Sequence, residues 1–534
     1  LEAVHAIAFV QDGSVRRAVD YRNLGAEELG SVYESLLELH PLVNSDAGTF
    51  ELRSAAGNER KTTGSYYTPD SLVQCLLDSA LEPVMTDAIK GKKDQEAVEA
   101  ILKLKVCDPA VGSGHFLIAA AHRMAKKVAA LRTGEEEPAP AAIRIALRDV
   151  IGQCLYGVDL NPMAAELCRV NLWLEALIPG KPLAFLDHHI QVGNSLLGAT
   201  PELISKGIPD EAFTAIEGDD KKACTVLKKR NKEERKTVSI EHANQAEIIH
   251  EQLQKSSVTL EAIPDESLLD IRNKEIAYRK MKGSDEHRLM KLLADTWCSA
   301  FVSRKVFQNP DDPRSAKGIT QRYLDEVASG DKLLDDVIQE VRELTKQYRF
   351  FHWYLAFPEV YNKGGFDCVL GNPPWERVKF QEQEWFAGRR PDIANASNAA
   401  LRRKKIAALK LEDTTLFQNF QDELREAQGE SHLLRDSTLY PLCGRGDVNT
   451  YAVFAELMSF SINKQGYVGC ILPSGIATDS TTSDFFFSLV KSQKLISLYD
   501  FQNIDLFKGV GHGVMHFCLA TLNGSGLGSH APIF

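Results

Sequence analysis

The chain has 534 residues, 44% hydrophobic and 25% charged; that is more than one core can hold and, at about 150 residues per domain, suggests two to four units of soluble globular type. A formal charge of −11 excludes a protein that coats nucleic acid by bulk charge and leaves room for a local basic cleft. The ten cysteines never form Cys-x-x-Cys and mostly sit in apolar runs, so no zinc module, other metal site or disulfide framework is expected. No run of 18 apolar residues and no cleavable signal pattern occurs, which makes a cytoplasmic location with no membrane contact the default.

In chain order, Val4 to Val10 reads as a strand-like piece, and Leu29, Val32, Leu36, Leu37 and Leu39 as a helical pattern, so residues 1–60 are expected to form a small helical cap. Residues 61–68, ending in Tyr67-Thr68, form a polar aromatic loop. Pro69 follows, and Leu72, Val73, Leu76, Leu77 and Ala80 are spaced as on one helix face. Thr68 is the expected N-cap with Pro69 at the first helical position, where free amides could face a ligand. A loop followed by a core helix reads equally well on this segment alone.

Leu104 to Cys107 is an expected strand, Asp108-Pro109-Ala110-Val111-Gly112-Ser113-Gly114 a turn, and Phe116 to Ala121 a helix. Strand, Gly-x-Gly turn and helix is how an α/β sheet lets a nucleotide-like cofactor touch backbone. The third glycine of the dinucleotide fingerprint is replaced by Leu117. An acid at the strand end repels a pyrophosphate and suits a cofactor with a cationic group. The next strand, Cys154 to Val158, ends in Asp159, a position that suits ribose hydroxyls, and a third, Ile190 to Leu196, carries Asn194 at its polar tip. Three consecutive strand ends thus place Asp108, Asp159 and Asn194 on one side of a sheet.

Residues 199–350 change character. Lys221, Lys222, Lys228, Lys229, Arg230, Lys232, Arg235 and Lys236 are interleaved with acids, and 242–256 and 331–347 are helical in pattern. A mainly helical insertion is expected, its charge run a solvated helix face or, as the competing reading, a DNA-backbone contact. Cys368 to Leu370 is then a buried strand that breaks at Gly371 into Asn372-Pro373-Pro374-Trp375. Two prolines remove two backbone donors, so this corner is rich in acceptors, the Asn372 amide oxygen and the Pro373 carbonyl, beside one flat ring. An exocyclic amino group on a nucleobase fits it; a strand-ending turn with a buried Trp is the plain alternative. Residues 376–446 are charged and read as helical or mobile. Tyr467 to Leu472, Leu495 to Phe501 and Val514 to Thr521 return to strand, the last pair as the antiparallel end of a mixed sheet.

Taken together and in order, residues 62–69 (Thr-Thr-Gly-Ser-Tyr-Tyr-Thr-Pro), 108–114, Val158-Asp159-Leu160-Asn161-Pro162, Gly193-Asn194-Ser195-Leu196 and Asn372-Pro373-Pro374-Trp375 resemble the gamma-order amino DNA methyltransferases of the type IIG and phage-defence kind, which modify adenine N6. The resemblance runs from about residue 60 to residue 522. It implies an α/β class I methyltransferase fold, a Rossmann-like mixed sheet with helices on both faces, binding S-adenosylmethionine. Tyr67, Thr68 and Pro69 would border the methionine end, and Asp108, Pro109 and Ala110 with the Gly112 and Gly114 backbone its amino and carboxylate groups. Asp159 would hold the ribose hydroxyls, Leu160 pack the adenine, and Asn194, where relatives often carry Asp, bond its amino edge. Asn372, Pro373, Pro374 and Trp375 would form the catalytic corner.

By the same resemblance that corner would methylate an adenine flipped out of double-stranded DNA, since the target is out of reach inside the duplex, with Trp375 stacking on the base for about 1–3 kcal/mol. Phe507 matches a second aromatic wall only loosely and reads better as a core residue. Residues 1–60 hold no convincing nuclease motif, and the chain stops soon after the last motif, where a target-recognition domain would follow. The expectation is therefore a piece of a longer polypeptide: a cap at 1–60, a cofactor-binding part at 61–198, a mainly helical insertion at 199–350 and a catalytic part at 351–534. Its role would lie in restriction-modification or phage defence, with protein partners possible. Cytosine N4 methylation, glutamine methylation of a protein, and a partner-dependent DNA- and cofactor-binding subunit of a defence complex are the rival readings.

Overall fold

The computed structural model describes residues 8–12, 15–18, 39–44, 49–54, 68–237, 252–330, 334–503 and 516–525. At the amino end these form two antiparallel hairpins, β1 (Phe9–Asp12) with β2 (Val15–Ala18) and β3 (Leu39–Asn44) with β4 (Thr49–Ser54). Leu39, placed in a helical pattern from its spacing, instead opens a strand that pairs it with Ser54. The rest of that pattern lies outside the described residues.

Helix α1 (Asp70–Leu76) leads into β5 (Val106–Asp108), α2 (His115–Thr133), α3 (Pro140–Gln153), β6 (Leu155–Asp159), α4 (Pro162–Glu175) and β7 (Ile190–Val192). These strands are short apolar runs because helices cover both faces: Val106, Cys107, Leu155, Tyr156 and Val158 are all buried. The insertion follows, with α5 (Lys221–Glu234), α6 (Asp285–Val302), the two-residue strands β8 (Val306–Phe307) and β9 (Ala316–Lys317), and α7 (Asp335–Tyr348). The chain re-enters the sheet as β10 (Phe366–Gly371), leaves through α8 (Ala399–Glu412) and α9 (Thr414–Asp436), and ends with α10 (Thr450–Ser461), β11 (Ile462–Pro473), β12 (Leu495–Gln502) and β13 (His516–Asn523).

Seven strands form one sheet in the order β12-β13-β11-β10-β5-β6-β7. All neighbours from β7 to β11 are parallel, and β13 runs antiparallel to both β11 and β12. This is a mixed sheet of the kind expected from the sequence, with the last strand reversed and inserted between β11 and β12. The chain runs outward from β5 through β6 to β7, then crosses to the other side of β5 as β10. The carboxyl ends of β5 and β10 therefore flank the switch point, where open α/β sheets take ligands.

β11 begins five residues before the expected Tyr467, because Ile462 pairs with Phe366 and the register then shifts so that Cys368 meets Tyr467. A side chain at Gly466 would come within 2.8 Å of the Phe366 carbonyl oxygen, so the polar residues around it loop out without breaking the strand. The insertion shares its core with the sheet. Trp297 and Phe301 of α6 belong to one buried cluster with Leu433 and Leu434 of α9, Phe357, Phe366 and Tyr156. Trp385, Phe386, Ile393, Ile406, Leu409 and Phe420 form a separate small core next to the Asn372 corner in sequence. No helix among the described residues is long and apolar enough to cross a membrane.

Candidate active site

Asp108 ends β5 and is 1% exposed. Its Oδ1 accepts the Ala110 amide at 2.9 Å, and it lies against Gly371, where an added Cβ would sit 2.9 Å from the same oxygen. Burial pushes its carboxyl up to about 7, against the lowering effect of the Ala110 amide and with a further push from Asp159. The turn that follows needs glycine twice. Gly112 has φ of 53° and Gly114 φ of 92°, and a Cβ on Gly114 would meet Cys168 Sγ at 2.8 Å while one on Gly112 would point into open space.

Asp159, at the end of β6, ties the neighbouring loops together: Oδ2 accepts the Gly112 amide and Oδ1 the Asn161 amide, both at 2.8 Å. Burial raises its carboxyl, and these two amides hold it down. Each oxygen keeps a lone pair for a further donor. Leu160, next in the chain, is 50% exposed, an apolar surface at the crevice. Asn194 lies beyond β7 in a loop bound to the end of the insertion, its amide donating to Arg349 O at 2.8 Å. Its Oδ1 accepts Leu196 N at 3.1 Å and its Nδ2 donates to Glu430 Oε1 at 3.3 Å.

Asn372 follows β10 directly. Its Nδ2 donates to the Thr68 hydroxyl at 3.1 Å, and its Oδ1 is buried with no hydrogen-bond partner among the described residues. Thr68 is therefore not the helix cap expected from sequence. Pro69 is the cap residue of α1, its carbonyl accepting from Leu72 and Val73, and the Thr68 hydroxyl turns to Asn372 instead. The Pro374 carbonyl is taken by Thr450 Oγ1 at 2.6 Å, and the same hydroxyl accepts Glu376 N at 2.9 Å. No described residue donates a hydrogen bond to the Pro373 carbonyl. The Trp375 ring stacks at 27° on Phe517, centroids 6.4 Å apart.

The structure thus brings Thr68, Pro69, Asp108 to Gly114, Asp159, Leu160, Asn194 and Asn372 to Trp375 to the carboxyl edge of four adjacent parallel strands. Tyr67 and Phe507 lie outside the described residues. Sequence reasoning missed Glu430, Thr450, Arg349 and Phe517. Glu430 reaches Asn194 from 236 residues away, so no local spacing could reveal it. Thr450 carried a faint signal, as a hydroxyl residue ahead of the apolar run Tyr451 to Leu457.

Two family models match overlapping stretches: N-6 DNA Methylase over residues 43–202 and the Eco57I restriction-modification methylase over residues 153–412. A protein of Methanocaldococcus jannaschii named as a type II restriction enzyme and methyltransferase is 24% identical over 408 residues, covering 66% of this chain and 30% of that protein. The adenine-specific methyltransferase PglX of Streptomyces coelicolor is 30% identical over 149 residues, 26% of this chain and 10% of its own length. A crystal structure from Listeria monocytogenes, named as a class I S-adenosylmethionine-dependent methyltransferase, aligns over 96% of this chain and 73% of its own at 9% identity and a TM-score of 0.30. The chain spans less than a third of the length of these two curated relatives. Between them the two family models run from residue 43 to residue 412, and over that stretch the chain is similar to the DNA methylases that they describe.

Proposed function

We propose that this chain transfers a methyl group from S-adenosylmethionine to the N6 amino group of adenine in double-stranded DNA, with the target base flipped out. The observation that carries the reading is Asn372: one end of its amide is anchored on Thr68, and the other is a buried acceptor with no donor among the described residues. A buried oxygen held in this way costs stability unless something with an N–H meets it.

The residues at the neighbouring strand ends fit the cofactor. Gly112 leaves backbone open to it while Gly114 lets the turn close on Cys168, Asp159 keeps lone pairs for ribose hydroxyls, and exposed Leu160 offers a face for its adenine. Asp108 would pair with its ammonium group, with Pro109 and Ala110 alongside, and Tyr67 and Pro69 would border its methionine end. Asn194, braced by Glu430, would read the adenine amino edge. Bound there, S-adenosylmethionine supplies an electrophilic methyl group.

An aromatic amine is a poor nucleophile because its lone pair is delocalised into the ring. Asn372 Oδ1 and the Pro373 carbonyl would accept its two N–H bonds, favour a pyramidal nitrogen and stabilise the positive charge that grows on it, without rearranging. Pro374 and Thr450 hold the turn that presents both oxygens, and Trp375, backed by Phe517, offers the base a stacking face. An enzyme acting on cellular or invading DNA in restriction-modification or phage defence would work in the cytoplasm. Calorimetry of Asp159→Ala tests the cofactor half: S-adenosylmethionine should bind at least about tenfold more weakly once a charge-assisted ribose contact is lost, and unchanged affinity would remove Asp159 from the site.

A further inference from the structure

The opposite, amino-terminal edge of the sheet holds a second constellation of chemistry-bearing side chains. His188 and His189, just ahead of β7, are 5% and 0% exposed in their side chains, and Glu261 lies on the helical stretch 252–261 of the insertion. His188 Nε2 is 3.0 Å and His189 Nε2 3.1 Å from the same oxygen, Glu261 Oε1. The two rings lie 3.9 Å apart at 30°.

We propose that His188, His189 and Glu261 bind one divalent transition-metal ion of the zinc class. One ligand atom from each residue lies within 4.8 Å of the other two. Ligands at about 2.0–2.2 Å from a tetrahedral ion are about 3.3–3.6 Å apart, so a small inward or outward shift of each group seats the ion. The hydrogen bonding points the same way. Neither ring nitrogen of His188 makes a hydrogen bond among the described residues, because its approach to Glu261 is off the N–H direction, and His189 Nδ1 makes none either. Three of four buried imidazole nitrogens are thus left over, a pattern that calls for an ion or another missing partner. Two imidazoles and one carboxylate are a donor set that zinc and its neighbours accept, with a fourth position open.

Lys105 shapes the site without filling it. Its Nζ bonds Glu261 Oε2 at 3.0 Å and Gln153 O at 2.8 Å, which leaves Oε1 as the oxygen that turns to the histidines. The ion would join the insertion to the sheet across 72 residues of chain, a closure that contributes stability where hydrogen bonds alone leave nitrogens unmet. Cysteine spacing carried no hint of it, since the third ligand comes from a distant helix.

The site stands apart from the methyl-transfer edge, so its test does not depend on that reaction. Full-length wild-type protein is treated with EDTA, dialysed and titrated with Co²⁺ alone, following visible d–d absorption and the melting temperature. One equivalent of Co²⁺ with absorption of tetrahedral type and a raised melting temperature is expected, with affinity falling at least about tenfold in His188→Gln and in Glu261→Gln. Absence of uptake by the folded wild type, or uptake that persists unchanged in both variants, overturns the proposal. A variant that fails to fold leaves the wild-type titration to decide.

Discussion

In the proposed reaction Asn372 must present its amide oxygen and would fail by rotating, and the Thr68 hydroxyl is the group that meets the other end of that amide. The hydroxyl accepts from Nδ2 at 3.1 Å, and Oδ1 is the buried acceptor without a partner among the described residues. Thr68→Val removes that acceptor at nearly constant volume; kcat should fall by about 10²-fold, the usual cost of a misplaced reacting group, while Thr68→Ser restores it. A rise in the cofactor KM without loss of kcat would instead assign Thr68 to the methionine end. Asp108 yields a pH dependence. Its carboxyl sits near 7 because it is buried, so without cofactor it binds a proton that the unfolded chain releases at about 4, and this group's contribution to stability falls as pH rises from about 4 to 7. A cationic cofactor group favours the ionised form. Its affinity should therefore rise by up to about tenfold per unit toward pH 7 and level off above it, and Asp108→Asn should flatten the curve measured by calorimetry; an equally steep curve in that variant would exclude Asp108 as its source. The strand-end positions of Asp108, Asp159 and Asn372 were legible from sequence because strand and turn are contiguous there. Glu430 was hidden because it sits in a charged helical run like any solvated one, and only folding sets it beside Asn194.

At the scale of elements, the loop after β7 and the segment 349–352 form a seam between the insertion and the first half of the sheet. Asn194 N donates to Arg349 O at 2.8 Å and Phe351 N to Leu197 O at 2.7 Å, and a Cβ at Gly198 would lie 2.1 Å from the Phe351 carbonyl oxygen. Backbone on backbone cannot yield as a side-chain tip can. Gly198→Ala should lose about 3 kcal/mol in urea unfolding, the upper range for overpacking; a loss under about 0.5 kcal/mol would show that the seam is loose. The strands of the main sheet were readable as apolar runs closed by Gly, Pro or an acid. Their ends were less so, because β11 carries a register shift at Gly466 that hydrophobic pattern does not encode. Leu39 shows the same limit from the other side: leucines spaced as on a helix gave way, at that position, to pairing with Ser54.

For the whole molecule, the order β12-β13-β11-β10-β5-β6-β7 gathers four motif-bearing strand ends on one edge although the chain separates the last from the others by the entire insertion. Motif order in the sequence foreshadowed that edge, whereas the shared core of insertion and sheet was invisible, since it depends on which faces of α6 and α9 meet. The central claim concerns the group that Asn372 receives. It is tested most directly by supplying labelled S-adenosylmethionine to the protein with unmethylated plasmid DNA and identifying the modified nucleoside, for wild type and Asn372→Ala side by side. The account expects N6-methyladenine with wild type and a loss of at least about 10²-fold with Asn372→Ala; label in N4-methylcytosine or only in protein, or N6-methyladenine undiminished in the variant, would contradict it.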